Sequence, residues 1–240
     1  MSSIISAIKA AIKHRLPRGI GEAVRLLVHE LRILWQHSRG VRKSRQYTHS
    51  SGLKLNIGCG PNIKPGWVNI DLGPNVDLTL DMRRSIPLPT GSASCIYSEH
   101  FFEHLENPPS VQTFLLEAYR LLESGGLFSV GVPDTEWIIR DYNGLPYKEH
   151  KPGEWLKFVK GGLHPDCCYT PLDHINFHFR QFTEHKYAYD YVTLAHVLEQ
   201  AGFTDIRQRD FDPNLDAQSR KIGTLYVDAR KPGTMASNRR

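Results

Sequence analysis

The strongest constraint on the fold is a glycine-rich turn between two short apolar segments. The first segment and the turn read LNIGCGPN at residues 55–62, and the second segment, VNID, ends on Asp71. Gly58 and Gly60 stand two apart, which is typical of a strand that passes into a tight loop with backbone open to a ligand. In an α/β sheet, a carboxylate that ends the neighbouring strand is placed to bind a ribose. The turn therefore predicts an α/β domain for a nucleoside-bearing cofactor.

Strand and helix patterns alternate along the chain from residue 54 onward, as a doubly wound sheet requires. The predicted strands are 54–57, 68–71, 78–80, 95–98, 127–132, 203–209 and 224–229, of which the last two form a closing hairpin-like pair. The predicted helices are 109–122 and 192–200. Gly125 and Gly126 are predicted to stop the first of these helices, because glycine tolerates the left-handed cap.

Two connections have unusual lengths. Only about nine residues, 58–66, separate the first two strands. That is too short for a full crossover helix, so a helix of about one turn is predicted there. The segment 133–186 is long, aromatic and rich in histidine, which predicts a lid-like insertion or a substrate pocket.

The positive charge of the chain is concentrated in an N-terminal arm. Residues 1–45 hold ten Lys or Arg and two acids, a net of +8, and residues 46–240 hold 20 and 23, a net of −3, which together make the +5 of the whole chain. Two amphipathic helices are predicted in the arm, and the second carries an apolar stripe of Val24, Leu27, Val28, Leu31, Leu34 and Trp35. Three interpretations stay open: packing on the domain or in a homodimer, contact with an anionic membrane, and nucleic-acid binding, which is the least favoured.

The remaining composition excludes several classes of protein. The four cysteines form no disulfide-like pattern and no CxxC, and no run of about 18 apolar residues could span a membrane. The N-terminus also lacks the apolar core of a secretory signal. We therefore expect a cytoplasmic protein, peripheral to the inner face of the membrane if the arm binds lipid, with a disordered tail at 233–240. The domain is expected to span 46–232.

The cofactor motif departs from two common nucleotide sites. A dinucleotide fingerprint would need a third glycine where Ile63 stands, and no P-loop lysine follows the turn. The ordered segments of residues 54–133 instead resemble the cofactor half of class I S-adenosylmethionine-dependent methyltransferases of type 11. The segments that carry this resemblance are LNIGCG at 55–60, PGWVNIDL at 65–72, Asp81 before IPLP at 86–89, IYSEHFFEHL at 96–105 and YRLLESGGLFSVGVPD at 119–134, with HVLEQAGF at 196–203 near the end.

The resemblance implies a Rossmann-like seven-stranded sheet and S-adenosylmethionine as cofactor. It places ten residues at the cofactor: Asn56, Gly58, Cys59, Gly60, Asp71, Leu72, Asp81, Met82, Ser98 and Glu99. Asp71 would accept the ribose hydroxyls, and Asp81 would lie near the adenine amino group with Met82 packed on the ring. An Asx turn before Arg83 is the alternative for Asp81. Asn56 replaces the usual acid and Asn62 the usual third glycine, which predicts weaker cofactor binding.

The class of methyl acceptor is predicted from a motif that is missing after the fourth strand and from the candidate bases that the chain contains. The N/D-PP-Y/F motif of amino-group methyltransferases is missing there, which disfavours exocyclic base amines. A hydroxyl acceptor needs a base, and four residues are candidates: His100, Asp134, His174 and His178. We therefore predict O-methylation of a saccharide, a lipid-linked glycan or a small metabolite. The alternatives are an RNA methyltransferase that uses the arm and a non-catalytic cofactor-binding scaffold.

Two further groups in the insertion have an interpretation from sequence. Several aromatic residues could stack on a sugar face: Trp137, Tyr142, Tyr147, Trp155 and Tyr169. Potential metal ligands also gather there: His164, Asp166, Cys167, Cys168, His174 and His178. Adjacent cysteines cannot easily share one tetrahedral ion, so no metal site is predicted. Variants with PGWxNxDL also resemble methyltransferases associated with bacterial surface-polysaccharide clusters, which suggests polysaccharide biosynthesis.

Overall fold

A computed structural model describes residues 17–233, so residues 1–16 of the arm and nearly all of the predicted tail lie outside the described residues. Along the chain, the helices and strands are α1 (Arg18–Lys43), β1 (Leu53–Ile57), β2 (Val68–Asp71), β3 (Leu78–Thr79), β4 (Ala93–Glu99), α2 (Pro109–Leu121), β5 (Leu122–Pro133), α3 (Thr135–Tyr142), α4 (Glu154–Lys160), α5 (Pro171–Arg180), α6 (Tyr191–Gln200), β6 (Thr204–Arg209) and β7 (Thr224–Arg230). Short 3₁₀ turns lie at Ser44–Tyr47, Phe102–His104 and Gln218–Arg220.

The strands form one seven-stranded sheet in the order β3-β2-β1-β4-β5-β7-β6. Strands β1 to β5 run parallel, whereas β7 runs antiparallel to both of its neighbours. This confirms the predicted doubly wound fold. Leu55, Ile57 and Ile70 are fully buried, as the strands of a sheet covered on both faces should be. Because Ile57 pairs with both Ile70 and Ser98, the carboxyl ends of β1, β2 and β4 meet at one edge.

The loop between β1 and β2 contains no helix, so the single helical turn predicted there is wrong. Side-chain amides hold an irregular loop instead. Asn56 Nδ2 donates to the Asn62 carbonyl oxygen at 2.9 Å and to Asn69 Oδ1 at 2.8 Å. The Lys64 backbone N–H also donates to Asn69 Oδ1, at 2.8 Å. Asn69, which is buried at 3% exposure, therefore joins β1 to the loop through its side-chain amide.

Strand β5 begins earlier than predicted. Helix α2 ends at Leu121, and the strand runs from Leu122 through Gly125 and Gly126 to Pro133. The predicted glycine stop is therefore wrong. Ala93 of β4 pairs with Leu122, so the sheet continues up to the end of the helix. Gly125 keeps a left-handed backbone, at φ 79°, within this extended segment.

The segment 133–186 folds into three helices with a small core of its own. That core consists of Trp137, Ile138, Trp155 and Val159. Asp141 of α3 organises the start of α4, because its carboxylate accepts from the Gly153 N–H at 2.6 Å and from the Trp155 N–H at 3.3 Å. Helix α5 begins with a capping box formed by Thr170 and Asp173. The insertion is therefore an ordered cover on the sheet edge.

Helix α1 lies against the β3 edge of the sheet. Ile33 is buried there, and Gly40 is so close to β3 that a Cβ at this position would overlap the Thr79 carbonyl oxygen. Gln36 Nε2 donates to the Leu72 carbonyl oxygen at 3.2 Å, and His37 Nδ1 accepts from the Asp81 N–H at 3.1 Å. These contacts bring the helix next to two residues that sequence reasoning placed at the cofactor.

The apolar stripe predicted on α1 does not make that contact. Leu27, Leu31 and Leu34 are 58%, 56% and 42% exposed, and Trp35 is 51% exposed. The helix uses a different face, the one with Ile33 and Gly40, to pack on the domain. Among the described residues, 17–233, no helix is both long enough and apolar enough to cross a bilayer.

Candidate functional site

The glycine loop after β1 is joined directly to the carboxylate at the end of β2. Gly58 and Gly60 have left-handed backbones, at φ 66° and 51°. The Gly60 N–H donates to Asp71 Oδ2 at 2.9 Å, and the Gly73 N–H donates to Oδ1 at 2.8 Å. Asp71 remains half-buried, and a Cβ at Gly60 would meet no atom within 4 Å. An open loop with an accessible carboxylate beside it fits the ribose and methionine ends of S-adenosylmethionine.

A side chain at Gly58 would have no room. A Cβ built there would overlap the Phe101 ring, whose Cδ2 would lie 2.6 Å away. Phe101 follows β4 and packs edge-on against Phe114, with ring centroids 5.6 Å apart. Gly58 is therefore required both by its backbone angle and by the approach of the segment after β4 to the loop.

Besides Asp81 and Ser98, three of the predicted cofactor residues are buried. Asn56, Cys59 and Met82 are 2%, 5% and 4% exposed. The Asn56 amide is used to hold the loop, as described above, and Met82 belongs to the main core. Burial, with a smaller effect of Asp71, raises the pKa of the Cys59 thiol to about 11. Their direct contact with the cofactor stays a prediction, as does that of the half-buried Leu72.

Asp81 follows β3 and is held by an arginine. Its Oδ1 accepts from the Arg83 backbone N–H at 3.0 Å, which is the Asx turn considered as the alternative role. The Arg83 guanidinium also pairs with both carboxylate oxygens, at 2.9 and 3.0 Å, and extends to Glu30 of α1 at 2.8 Å. Burial alone would raise the pKa of Asp81, but the Arg83 hydrogen bonds and charge lower it. The predicted contact of Asp81 with adenine must therefore be made while Asp81 is paired with Arg83.

The end of β4 contributes one orphaned polar group and one anchored acid. Ser98 is fully buried, and its hydroxyl has no hydrogen-bond partner among residues 17–233. Glu99 Oε1 accepts from the Tyr226 hydroxyl at 3.0 Å, and both its oxygens lie 3.3 Å from the Ala217 N–H. The Glu99 carboxylate therefore ties β4 to β7 and to the segment after β6.

His100 has the most constrained geometry at this edge. Its backbone is left-handed, at φ 51°, and its N–H donates to the Gly131 carbonyl oxygen at 2.8 Å. The Thr224 hydroxyl uses its one proton to donate to the Arg220 carbonyl oxygen at 2.7 Å. Its oxygen also lies 2.8 Å from His100 Nε2, so in that second hydrogen bond it accepts and Nε2 carries the proton. Arg220 Nη1 donates to Nδ1 at 3.3 Å. Neutral His100 therefore carries its lone pair on Nδ1.

A cavity of about 350 Å³ opens beside His100 and under the insertion. We call it the His100 cavity; it is lined by His100, Glu103, His104, Pro133, Trp155, Phe158, Val159, Leu163, His164, Phe177, His178, Gln181, Glu184, His185, Ser219, Arg220, Ile222 and Gly223. Burial lowers the pKa of His164 to about 4 and that of His178 to about 3. Both imidazoles are therefore neutral near pH 7.

The four predicted bases are not brought together. His100 and His178 line the cavity, whereas Asp134 lies in a separate groove with Tyr147 and Lys148, each 3.3 Å from its carboxylate. His174 is buried at 2% exposure, with its Nδ1 3.0 Å from Nδ1 of His164. Asp134 and His174 thus lie outside the His100 cavity, although they share its insertion.

The five aromatic residues expected to contact a sugar are also divided between the His100 cavity, the separate groove and the exposed surface. Trp155 lines the His100 cavity, whereas Trp137 and Tyr147 line the separate groove. Tyr142 and Tyr169 are 53% and 81% exposed, and neither lines the cavity. Of the five, Trp155 is therefore the residue that a ligand in the cavity would meet.

The sequence predictions assigned no site role to Glu103, His104 or His185, although all three line the cavity. The first two stand in the EHFFEHL segment, where a repeated Glu-His pair was a usable signal. No local signal connects them with His185. The described residues also contain two groups with ligand atoms close enough for a metal ion: Glu103, His104 and His185, and His164, Cys168 and His174.

Comparisons with known proteins give one family match and several similar structures. Residues 55–130 match the family model described as a methyltransferase domain. A methyltransferase structure from Archaeoglobus fulgidus is 16% identical and covers 83% of this chain and 94% of its own, with a TM-score of 0.47. One from Thermotoga maritima, described as a possible histamine N-methyltransferase, is 14% identical and covers 86% and 96%, with a TM-score of 0.44. Among curated proteins, none matches the sequence at a significant level.

The family match covers the glycine loop, Asp71 and the first five strands. The sheet order, with its antiparallel β7, is the arrangement expected for that family. The identities are too low to transfer a substrate. Residues 55–130 therefore carry a methyltransferase domain with the class I fold, and S-adenosylmethionine is its cofactor.

Proposed function

We propose that the protein O-methylates a hydroxyl group of a saccharide, a lipid-linked glycan or a small metabolite. The observation that carries this proposal is the His100 cavity, which begins where β4 and β5 end. In open α/β sheets, ligands bind in the crevice outside the carboxyl ends of the strands. The same edge carries Gly60 and Asp71, so an acceptor in the cavity would lie beside the cofactor.

The size and lining of the cavity support a small polar acceptor. Its volume of about 350 Å³ is within the range of about 300–1,000 Å³ typical of small-molecule sites. Trp155, Phe158 and Phe177 supply apolar surface, which can stack on the apolar face of a sugar. Imidazoles and carboxylates among the lining residues supply partners for hydroxyl groups.

The required chemistry is modest. S-adenosylmethionine supplies a methyl group already activated on a sulfonium, so the protein has to align the acceptor and remove its proton. Holding reactants in line can lower the barrier by about 7–11 kcal/mol. We assign the proton to His100 Nδ1, which carries the lone pair of the neutral ring; the acceptor hydroxyl would take the place of the Arg220 hydrogen bond there, while Thr224 fixes the Nε2 proton. His178 lines the same cavity and helps to position the acceptor.

The exposed stripe on α1 supports a related proposal about location. Leu27, Leu31 and Trp35 are each more than half exposed. Arg39 stacks over the Trp35 ring, with its guanidinium 4.7 Å from the ring centroid. Apolar residues with basic neighbours are typical of helices that lie on anionic membranes. We propose that the arm brings the enzyme to such a surface, where a lipid-linked acceptor would be available.

The experiment is product analysis with isotope-labelled cofactor on a panel of glycans, lipid-linked glycans and hydroxylated metabolites. We expect label on an acceptor oxygen, and at least a hundredfold loss of rate in His100→Gln, because general bases contribute about 10²–10⁴-fold. His196→Gln is the matched control, since His196 is exposed on α6 and does not line the cavity. Label on RNA with strong salt dependence, or no transfer despite cofactor binding, would contradict the proposal.

A further inference from the structure

We propose that Glu103, His104 and His185 bind a divalent transition-metal ion, such as Zn²⁺ or Mn²⁺, in the His100 cavity. One ligand atom from each of these residues lies within 4.8 Å of the others. All three residues line the cavity. The role of the ion would be to hold and polarise the acceptor oxygen. That role rests on the proposed function, whereas ion binding does not.

The first observation is a buried carboxylate that accepts no hydrogen bond from the described residues. Glu103 is 2% exposed, and neither of its carboxylate oxygens has a hydrogen-bond partner among the described residues. Buried charged groups in proteins are almost always paired or bound to metal, because an isolated buried charge is very costly. A divalent cation would satisfy both the charge and the lone pairs of this carboxylate.

His100 does not satisfy Glu103. Its Nδ1 lies 3.4 Å from Glu103 Oε1, which is an ion-pair distance. In neutral His100, however, Nδ1 carries a lone pair, because Nε2 donates to Thr224 and Arg220 donates to Nδ1. Two acceptor atoms therefore face each other. A hydrogen bond between them would need a second proton on His100, so the Glu103 carboxylate stays available to a cation.

The two imidazoles are held in the tautomer that metal binding needs. Nδ1 of His104 is 3.2 Å from the Glu184 carbonyl oxygen, and Nδ1 of His185 is 2.6 Å from the His178 carbonyl oxygen. A carbonyl oxygen only accepts, so both Nδ1 atoms carry protons and both Nε2 atoms have free lone pairs. Histidine ligands of metals commonly donate their other N–H to such a carbonyl. His104 Nε2 lies 4.0 Å from Glu103 Oε1.

The backbone fixes the distance between the two parts of the site. The Glu103 carbonyl oxygen accepts from the Lys186 N–H at 2.8 Å and from the Tyr187 N–H at 3.3 Å. These bonds clamp the chain next to His185 against the 3₁₀ turn that holds Glu103 and His104. The His104 and His185 rings meet edge to face, with centroids 5.0 Å apart. The three ligands are therefore placed by hydrogen bonds that exist without the ion.

The second histidine group is a weaker candidate. His164 and His174 share a hydrogen bond between their Nδ1 atoms at 3.0 Å, so one of these atoms is already protonated. Only Cys168 of the vicinal cysteines joins that group. Two imidazoles and one carboxylate, by contrast, form a set of three protein ligands that leaves a position open, as in catalytic zinc sites. The open position is where an acceptor oxygen would bind.

The chemistry balances without any further reactant. The acceptor hydroxyl gives its proton to His100 while its oxygen forms the O–CH₃ bond and the S–CH₃ bond of the cofactor breaks. The electron pair of the broken bond stays on sulfur, which becomes a neutral thioether. A cation on the acceptor oxygen stabilises the negative charge that develops as the proton leaves.

The test is calorimetric titration of Zn²⁺, and separately of Mn²⁺, into the full chain after treatment with EDTA and dialysis. We expect one ion per chain. The isosteric variant Glu103→Gln should weaken binding at least about 100-fold, because loss of an outer partner alone costs up to about 100-fold. Glu106→Gln, an identical change at an exposed position of the same segment, should leave binding unchanged.

A second variant and a spectrum guard against misfolding. His185→Ala should abolish the visible absorption of bound Co²⁺, whereas His196→Ala should retain it, and the thermal unfolding of all variants reports on folding. The assignment is overturned if no ion binds at millimolar concentration, or if binding is lost in Cys168→Ser and kept in Glu103→Gln. If methyl transfer persists in EDTA with no ion bound, the metal proposal is overturned and the proposed function is not. Ion binding without transfer to any hydroxyl overturns only the proposed function.

Discussion

Gly40 offers a sharp test of how α1 docks, because alanine there should be harmful although alanine favours helices. A Cβ at position 40 would overlap the Thr79 carbonyl oxygen and lie 2.8 Å from Leu80 Cδ2. The oxygen belongs to the backbone of β3 and cannot rotate away. Gly40→Ala therefore has to push the helix off the sheet edge.

The magnitude follows from two opposing effects. Forcing extra atoms into a packed contact costs about 1–3 kcal/mol. Replacing glycine by alanine in a helix interior gains about 1 kcal/mol. A backbone clash belongs at the upper end of the cost, so Gly40→Ala should lower the free energy of unfolding by about 2 kcal/mol. At about 2–4 °C per kcal/mol for a chain of this size, the melting temperature should fall by about 4–8 °C.

Gly19→Ala is the matched control on the same helix. A Cβ at position 19 meets no atom within 4 Å, so this change should leave the melting temperature equal or slightly higher. Differential scanning calorimetry of the two variants gives the comparison. Gly40→Ala should also weaken cofactor binding, since α1 bonds to Leu72 and Asp81 through Gln36 and His37. If Gly40→Ala melts at or above Gly19→Ala, the docking of α1 through Gly40 is refuted.

Three further predictions concern the cofactor, the arm and the insertion. Asp71→Asn should weaken S-adenosylmethionine binding at least about tenfold in calorimetry, since hydrogen bonds to a charged acceptor contribute about 1.5–3 kcal/mol. Asp205→Asn, at an exposed position of β6, should leave the affinity unchanged. Equal affinities of the two variants would remove Asp71 from the site. Leu31→Glu should reduce sedimentation of the protein with anionic vesicles. Val192→Glu, at an exposed position away from the stripe, should not. Equal sedimentation of the two variants would contradict membrane contact through the stripe. The lowered pKa of His164 favours the folded state above about pH 6.5, and that stability is lost as the pH falls towards 4, because the unfolded chain then binds more protons. His164→Phe should therefore flatten the fall in melting temperature between pH 6.5 and 4, and an unchanged slope would contradict the burial of this imidazole.

The sheet and the glycine loop could be predicted because their signals are local. Gly58, Gly60 and Asp71 lie within fourteen residues of one another, and each strand has its own apolar run. The loop conformation could not be predicted, since it depends on Asn69 bridging Asn56 and Lys64 across two strands. A short connection indicates only that a crossover helix is absent.

The acceptor cavity was less predictable, because its residues are brought together by tertiary contacts. His174 and His178 stand one turn apart on α5, yet His178 lines the cavity whereas His174 is buried behind it against His164. Glu103 and His185, 82 positions apart in the sequence, are held together by hydrogen bonds from the backbone that follows His185 to the Glu103 carbonyl oxygen. Deletion of the whole arm would remove the contacts of α1 with β3, so point variants are the better probe of the exposed stripe.

The measurement that tests the account most directly is a crystal structure of the full chain with S-adenosylhomocysteine. We predict that the ribose hydroxyls bind the Asp71 carboxylate and that the sulfur faces the His100 cavity. A ribose bound away from Asp71, or a sulfur that faces the separate groove of Asp134 and Tyr147, would contradict the assignment of both the cofactor edge and the acceptor site.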